Sequence, residues 1–396
     1  MQTRRSFTLM PLALAAAGAT LPALAQRPEP YRVAVLASLT GPLASLGVPS
    51  KAAIDSAAKK FNDAGGLNGR QFELIYGDDQ SDPSKGVIAF KRLLDDKPVA
   101  MIGPNFSSTA LGIIPLVEQA RLPMITMAAE DTQVAPGRRH VFMISLTTRL
   151  NAQANLGYLK AIRATNIALL HDSGAYGRGG QRVLAELAQA AGISIVQTET
   201  FNLGDADLTP QLTKIRNNAA VQALVMWGAG GTPAVAARQF RALDFKVPLV
   251  VTGAQGDPGF AKAAGPAAEN LPFPAGRALM NAYLPADNPS KKLFDEFNND
   301  FRRVTNSDPN VFAAVAHDAF RLLASALAAA PGGEPEKLVA ALEATRLVGV
   351  NGEYAFGREA RAGMLVSSIA MGSWKDGRIQ PTSPNCEGCY ATVPAR

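Results

Sequence analysis

Short apolar runs alternate with longer amphipathic stretches along most of this 396-residue chain. Such alternation predicts buried parallel strands that are covered by helices on both faces. One series begins at "YRVAVLA" (31–37) and a second begins at "NIALLH" (166–171). Two series in succession predict an α/β fold with two lobes, each built on a doubly wound parallel sheet. The predicted strands cover residues 31–37, 72–76, 99–102, 123–126, 141–144, 166–171, 193–198, 222–227 and 248–252.

The pattern changes after residue 276. Two helical stretches, 288–304 and 311–330, follow each other without a strand between them, and 364–374 again has strand character. We expect the helices to return to the first lobe and the late strand to return to the second, so that three crossover strands form the hinge. The expected boundaries are 31–147 with 277–362 for the first lobe, and 148–276 with 363–380 for the second.

The first 25 residues have the composition of an export signal. Two arginines precede an apolar run that ends in "ALA" at 23–25, a small-residue cleavage site. "TRRSF" at 3–7 also resembles the twin-arginine export motif, and general secretion stays open as the other route. Prolines and a glycine inside the run argue against the alternative, a membrane anchor. We therefore expect a signal peptide over residues 1–25 and a periplasmic protein.

Charge and cysteine usage exclude several classes of partner. The formal net charge is +6, and loss of Arg4 and Arg5 with the signal leaves +4. The remaining basic residues are scattered, so no nucleic-acid partner is expected. Cys386 and Cys389, in the tail 381–396, are the only cysteines, and a periplasmic location predicts a disulfide between them. Two cysteines cannot form a tetrahedral zinc site alone, and no cofactor or metal is expected.

The stretch "GDDQSD" (77–82) concentrates carboxylates directly after a predicted strand. Asp78, Gln80 and Asp82 alternate like the ligands of a calcium loop. However, Pro83 stands where such a loop needs glycine, and no glutamate closes it. An aspartate before a helix-starting proline is typical of an N-cap. We interpret the cluster as a turn in which Asp82 caps the next helix.

Candidate ligand-binding residues follow the predicted strands, at the edge where open α/β sheets bind their ligands. "PNFSSTA" (104–110) places hydroxyls at a helix start, where unpaired amides favour anions. Ordinary helix capping is the alternative there. "MAAED" (127–131) reaches the same edge, and "HDSGAYGRGG" (171–180) adds a tyrosine that could stack on a solute. The candidates from these stretches are Asn105, Ser107, Ser108, Ala128, Glu130 and Tyr176.

Signals for catalysis are weak. The glycines of 174–180 lack GxGxxG spacing, and the sequence contains neither a Walker GK[ST] motif nor a GxSxG elbow. The pairs His171–Asp172 and His317–Asp318 suggest a metal hydrolase, but the chain has three histidines and offers no convincing third ligand. We expect a protein without enzymatic activity, and an exported hydrolase is the alternative.

Four stretches resemble the Leu/Ile/Val-binding family of periplasmic solute-binding proteins. They are "VAVLASLTGPLASLG" (33–47), "FNDAGGLNGRQFELIYGDDQSDPSKG" (61–86), "IGPNFSSTAL" (102–111) and "HDSGAYGRGG" (171–180). The similarity runs in order from about residue 31 to residue 380. It implies a type I periplasmic binding fold that closes on a small solute, as a monomer, and delivers it to an inner-membrane ABC permease. A sensory module of the same fold, feeding a receptor or regulator, is the alternative.

The resemblance also assigns roles to individual residues. The family's carboxylate-binding serine corresponds to Ser107, its backbone-amide contact to Ala128, and its tyrosine over the ligand to Tyr176. A threonine that helps to hold the amino acid is replaced by Glu130. The glutamate that pairs with the ammonium group is replaced by Gln255.

These departures widen the range of solutes. A first-lobe tyrosine of the family is replaced by Leu46, and a second-lobe aromatic residue falls near Gly230, so the site gains room. Loss of the charge at Gln255 matters more, because a buried unpaired cation is costly. Either the solute is reversed, with its cationic end towards Glu130, or it is not an α-amino acid. An aromatic or other organic carboxylate, an amide and a reoriented amino acid all stay open.

Overall fold

A computed structural model describes residues 28–382 of the chain, so the predicted signal peptide and the predicted Cys386–Cys389 disulfide lie outside the described residues. Five parallel strands form the first sheet in the order β2-β1-β3-β4-β5, and four form the second in the order β7-β6-β8-β9. These strands are β1 Tyr31–Ala37, β2 Phe72–Asp78, β3 Ala100–Ile102, β4 Met124–Thr126, β5 Val141–Met143, β6 Asn166–Asp172, β7 Ser194–Phe201, β8 Ala223–Trp227 and β9 Leu249–Val251.

The predicted α/β fold is confirmed, and the strand bounds differ from the prediction by a few residues at most. Central strands such as β8 are buried along their whole length, as continuous apolar runs require. The edge strand β7 instead alternates exposed and half-buried residues over most of its length, because successive side chains point to opposite faces of the sheet and one face is better covered there.

Helices cover both faces of each sheet. In the first sheet, one face packs against α1 and α10 and the other against α2 and α3, while α4, α5 and α7 cover the second. The helices are α1 Ala44–Asp63, α2 Pro83–Asp95, α3 Ser107–Ala120, α4 Thr148–Ala161, α5 Ala175–Ala190, α6 Thr209–Arg216, α7 Thr232–Ala242, α8 Pro258–Ala264, α9 Pro289–Thr305, α10 Val311–Ala329 and α11 Pro335–Ala344. Within residues 28–382, α10 alone is long and apolar enough to cross a membrane. However, 72% of its apolar window is buried in the first lobe, as in a core helix.

The remaining strands lie near the hinge. Three of them form an antiparallel sheet in the order β10-β13-β14, with β10 beside β9, and the other two form the hairpin β11–β12. Of these five strands, the sequence predicted only the β13 region. These strands are β10 Pro272–Ala275, β11 Arg346–Val348, β12 Glu353–Ala355, β13 Ala370–Lys375 and β14 Arg378–Pro381.

The chain crosses between the two sheets three times, after β5, after β10 and before β13. Hydrogen bonds join these crossing segments to one another. The amide of Met143 donates to the carbonyl of Arg361 (2.8 Å), and the amide of Gly363 donates back to Met143 (3.0 Å). The amide of Arg277 donates to the carbonyl of Asn351 (2.8 Å). Below, the first lobe means the first sheet with α1–α3 and α9–α11, and the second lobe means the second sheet with α4–α8.

The acidic residues of the turn after β2 stabilise the fold of the first lobe. Asp82 caps α2, as predicted, by accepting hydrogen bonds from the amides of Ser84 and Lys85. Asp79 is fully buried and accepts from the Ser38 hydroxyl at the end of β1 (2.6 Å) and from the Thr109 hydroxyl in α3 (2.8 Å). Among the residues that the structure describes, no group of three His, Cys, Asp or Glu side chains is close enough to hold a metal ion.

Replacing Asp79 by alanine should lower the free energy of unfolding by about 1–3 kcal/mol, because buried hydroxyl and amide donors lose their acceptor. Asp82→Asn is the matched control. It should change stability by less than about 0.5 kcal/mol, since asparagine caps helices as well as aspartate does. Urea unfolding of both variants tests this, and equal stabilities would contradict the role given to Asp79.

Candidate functional site

A cavity lies between the two lobes, beyond the carboxyl ends of their strands. Its volume is about 920 Å³ when the part open to solvent is included. Most of its wall is apolar, as is usual for sites that bind small molecules. Its principal apolar side chains are Leu43, Leu46, Phe106, Leu203, Phe312 and Val315.

The apolar wall is shared by both lobes. Leu46 lines the cavity at the start of α1 and packs in a cluster with other buried side chains of the first lobe. Leu203 of the second lobe packs against this cluster. Gly230 does not line the cavity. A Cβ atom there would lie 2.9 Å from both the Leu43 side chain and the Pro42 carbonyl oxygen. The sequence predicted additional room for a solute at Gly230, but Leu43 and Pro42 of the first lobe fill that space.

One polar corner of the cavity is formed at the start of α3. Asn105 lines the cavity, and its Oδ1 accepts from the amide of Ser38 (3.0 Å). Its buried Nδ2 has no hydrogen-bond partner among the described residues. Ser107 lines the same corner as the first residue of α3, and the preceding Phe106 gives this helix no side-chain cap. Unpaired donors at a helix N-terminus favour an anion.

Ser108 and Glu130 connect the lobes and do not line the cavity. The Ser108 hydroxyl accepts from the amide of Ala175, at the start of α5 (3.0 Å). The Glu130 carboxylate is 3% exposed and accepts from the Arg182 guanidinium in α5 (2.7 Å). A Cβ atom on Gly179 would lie 2.7 Å from Glu130 Cγ, so a glycine is needed where α5 approaches this side chain.

Ala128 and Gln255 have their hydrogen-bonding groups occupied by the protein itself. The amide of Ala128 donates to the Thr126 hydroxyl (3.1 Å), whereas the adjacent Ala129 lines the cavity. The Gln255 side chain accepts from the amide of Thr252 (3.1 Å) and donates to the carbonyl of Gly228 (3.0 Å). Neither Gln255 nor Ala128 lines the cavity.

Tyr176 and Asp172 line the second-lobe side of the cavity. The Tyr176 ring packs against Trp227, with 5.8 Å between ring centroids, and burial raises the pKa of its hydroxyl. Asp172 ends β6, where Oδ1 accepts from the amides of Gly174 (2.8 Å) and Gly177 (3.3 Å). Burial raises the pKa of Asp172 to about 6, although these amides partly oppose the rise.

Asp172 was not predicted to bind a ligand, because in the sequence it stands out only as half of a histidine–aspartate pair. Its position at the carboxyl end of a central strand was the available signal. Asn151, Ser145 and Asn351 also line the cavity and were not predicted. They lie at the hinge, where local sequence gives no sign of which lobe a side chain faces.

The two pairs considered for a hydrolase have structural contacts. His171 Nδ1 lies 2.8 Å from the carbonyl oxygen of Asp172, and the ring does not line the cavity. His317 Nδ1 lies 3.7 Å from Asp318 Oδ1. The Asp318 carboxylate accepts from the amides of Val350 (2.8 Å) and Asn351 (2.9 Å), which fixes the loop between β11 and β12.

The family model described as "Periplasmic binding protein" matches residues 30–378. The chain belongs to this family. Curated relatives carry the name Leu/Ile/Val-binding protein, so the resemblance found in the sequence is confirmed. The two-lobed α/β architecture of the protein is that of type I periplasmic binding proteins.

Three similar proteins illustrate the range of this family. The leucine-, isoleucine-, valine-, threonine- and alanine-binding protein of Pseudomonas aeruginosa is 26% identical over 331 residues, 83% of this chain and 86% of the relative. An extracellular ligand-binding receptor from Rhodopseudomonas palustris HaA2 superposes with a TM-score of 0.83 at 25% identity, covering 89% of this chain and 99% of that structure. A solute-binding protein from R. palustris in complex with benzoate (TM-score 0.77, 20% identity, 89% and 95% covered) shows the same fold.

The contact between Glu130 and Arg182 should couple the two lobes energetically. Glu130→Gln removes the charge of this contact and Arg182→Ala removes its donor, so their effects on urea unfolding should be non-additive by roughly 0.5–3 kcal/mol. The partly exposed pair Arg149–Glu186, within the second lobe, is the control and should couple by less than about 1 kcal/mol. Additive effects at Glu130 and Arg182 would show that this contact does not hold the lobes together.

Proposed function

We propose that the protein is an exported solute-binding protein of an ABC-type importer. It holds a small solute that bears a carboxylate in the cavity between its lobes and releases it unaltered to an inner-membrane permease. The observation that carries this proposal is the polar corner at α3, where Asn105 Nδ2 is buried without a partner beside Ser107. The P. aeruginosa relative is named for amino acids, all of which carry a carboxylate.

The corner suits a carboxylate better than a neutral group. Asn105 Nδ2, the Ser107 hydroxyl and the first amides of α3 are all donors, and the positive end of the helix dipole adds favourable electrostatics. The rest of the solute would lie against apolar side chains such as Leu46 and Phe106 and under the Tyr176 ring. Desolvation of this apolar part supplies much of the binding free energy.

Binding favours the closed arrangement of the lobes. Asn105 and Ser107 belong to the first lobe, whereas Tyr176 and Asp172 belong to the second, so a solute contacts both sets only when the lobes are together. A ligand shifts such an equilibrium by its differential affinity for the two states. Lobe closure therefore reports solute binding to the permease, and no chemical step is needed.

The proposed location is the periplasm, to which members of this family are exported. The signal at residues 1–25 fits that location, through either the twin-arginine or the general secretory route. The proposed form is a monomer that acts without a cofactor, because the cavity is completed by the two lobes of one chain.

Ser107→Ala should weaken solute binding by about 1–3 kcal/mol, because a buried donor to the carboxylate is lost. Calorimetric titration of protein stripped of solute by unfolding and refolding measures this, with a solute chosen by a thermal-shift screen of amino acids and organic acids. Ser56→Ala is the control, since Ser56 is a buried serine of α1 that does not line the cavity. Unchanged affinity in Ser107→Ala, or recovery of a converted solute, would contradict the proposed function.

A further inference from the structure

One asparagine in the wall of the cavity has a hydrogen-bond acceptor without a partner. Asn351 lines the cavity and is 1% exposed, and its Oδ1 has no hydrogen-bond partner among the described residues. The two other asparagines that line the cavity have their oxygens occupied. Asn151 Oδ1 accepts from the amide of Gly253 (2.9 Å), and Asn105 Oδ1 accepts from the amide of Ser38. A buried acceptor without a donor costs free energy, and a bound molecule that supplies the donor removes this cost.

Hydrogen bonds fix both the backbone and the side chain of Asn351. Its amide donates to the Asp318 carboxylate in α10 (2.9 Å), and its carbonyl accepts from the amide of Arg277, just after β10 (2.8 Å). The Tyr354 hydroxyl donates to Asp318 (3.0 Å), so its oxygen is free to accept. Burial raises the pKa of Tyr354, and hydrogen-bond donation from the Asn351 side chain partly opposes this rise. Nδ2 is therefore turned towards Tyr354, and Oδ1 lies on the other side of the amide group.

Asn351 Oδ1 lies beside Gly276, which also lines the cavity. A Cβ atom on Gly276 would lie 2.5 Å from Oδ1, so any side chain at this position would cover the oxygen. Leu146, Gly253 and Pro274 line the cavity near these residues, since a Cβ atom on Gly253 would lie 2.7 Å from the Leu146 side chain and 2.8 Å from the Pro274 carbonyl oxygen. These five residues are called the hinge end of the cavity below.

The hinge end is separated from the polar corner at α3 by the width of two strand spacings. That corner follows β3, whereas Leu146 of the hinge end follows β5, and β4 lies between these two strands in the sheet. Because adjacent strands lie roughly 4.8 Å apart, the two ends of the cavity are about 10 Å apart along the sheet. A solute whose carboxylate is held at Ser107 therefore meets Asn351 with its opposite end.

We infer that Asn351 selects solutes that carry an uncharged hydrogen-bond donor, such as a hydroxyl or an amide, at the end remote from their carboxylate. This inference rests on the proposed function, because the carboxylate at Ser107 orients the solute. A donor completes the hydrogen bonding of Oδ1, whereas an apolar end leaves this oxygen desolvated and unpaired. A second carboxylate is disfavoured there, because it brings an acceptor to an acceptor. Among the described residues, no lysine or arginine side chain lines the cavity to pair with it.

The decisive experiment compares acids that differ only in a terminal hydroxyl. The pairs are 3-(4-hydroxyphenyl)propanoate with 3-phenylpropanoate, 6-hydroxyhexanoate with hexanoate, and tyrosine with phenylalanine, titrated calorimetrically into protein stripped of solute. In every pair that binds, the wild type should bind the hydroxyl-bearing member at least about fivefold more tightly, because it pairs a buried acceptor. The analogue of each pair with fluorine in place of the hydroxyl has a similar size but no donor, so its affinity should match that of the plain acid.

Asn351→Leu removes the acceptor at nearly the same side-chain size. It should reduce the preference for the hydroxyl-bearing acid to within about twofold, and the plain acid should bind as tightly as before or more tightly, because no unpaired oxygen remains. Asn155→Leu is the matched control. Asn155 is a fully buried asparagine of α4 whose side-chain oxygen also has no partner among the described residues, but it does not line the cavity. This variant should keep the wild-type preference.

The outcomes separate this inference from the proposed function. Equal affinity of the wild type for both members of a pair, or a preference that Asn351→Leu retains, overturns the inference and leaves carboxylate binding intact. A retained preference would mean that another acceptor, such as Asp172, holds the hydroxyl. Failure of every acid to bind the wild type overturns the proposed function and the inference with it. If Asn351→Leu does not fold, the fluorinated analogues decide: affinity equal to that of the plain acid supports the inference, and affinity equal to that of the hydroxyl-bearing acid contradicts it.

Discussion

The hydrogen-bonded contact between the lobes is the interaction on which the cavity depends. Ser108 accepts from α5, Glu130 pairs with Arg182, and Asn310 at the start of α10 donates to Asp257 of the second lobe (2.9 Å). A hydrogen bond to a charged group contributes about 1.5–3 kcal/mol and a neutral one about 0.5–1.5 kcal/mol, so this contact rests on a few bonds of moderate strength. Under the proposed function, a solute that contacts both walls adds to this contact, so that occupancy favours closure.

The division of polar groups around the cavity explains its chemistry. Glu130, Gln255 and Ser108 bond to the protein itself, whereas Asn105 Nδ2 and Asp172 Oδ2 have no hydrogen-bond partner among the described residues. The unpartnered donor lies on the first lobe and the unpartnered acceptor lies on the second.

The sequence predicted the sheets well because buried parallel strands are continuous apolar runs. It missed β10, whose prolines at 272 and 274 are atypical of a strand, and it missed β11, β12 and β14, which are short. Within the site, Leu46, Asn105, Ser107 and Tyr176 line the cavity. Glu130 does not line the cavity, because its carboxylate bonds to Arg182 of the second lobe. Arg182 lies 52 positions away in the sequence. No local pattern reveals such a partner, and motif alignment alone cannot distinguish a residue that meets the solute from one that meets the facing lobe.

Because residue 179 is a glycine, α5 has no side chain at the point where it packs against Glu130. A methyl group at this position would collide with the Glu130 side chain, so this side chain and its hydrogen bond to Arg182 would have to shift, while the residues that line the cavity stay unchanged. Position 179 therefore influences the contact between the lobes independently of the cavity wall.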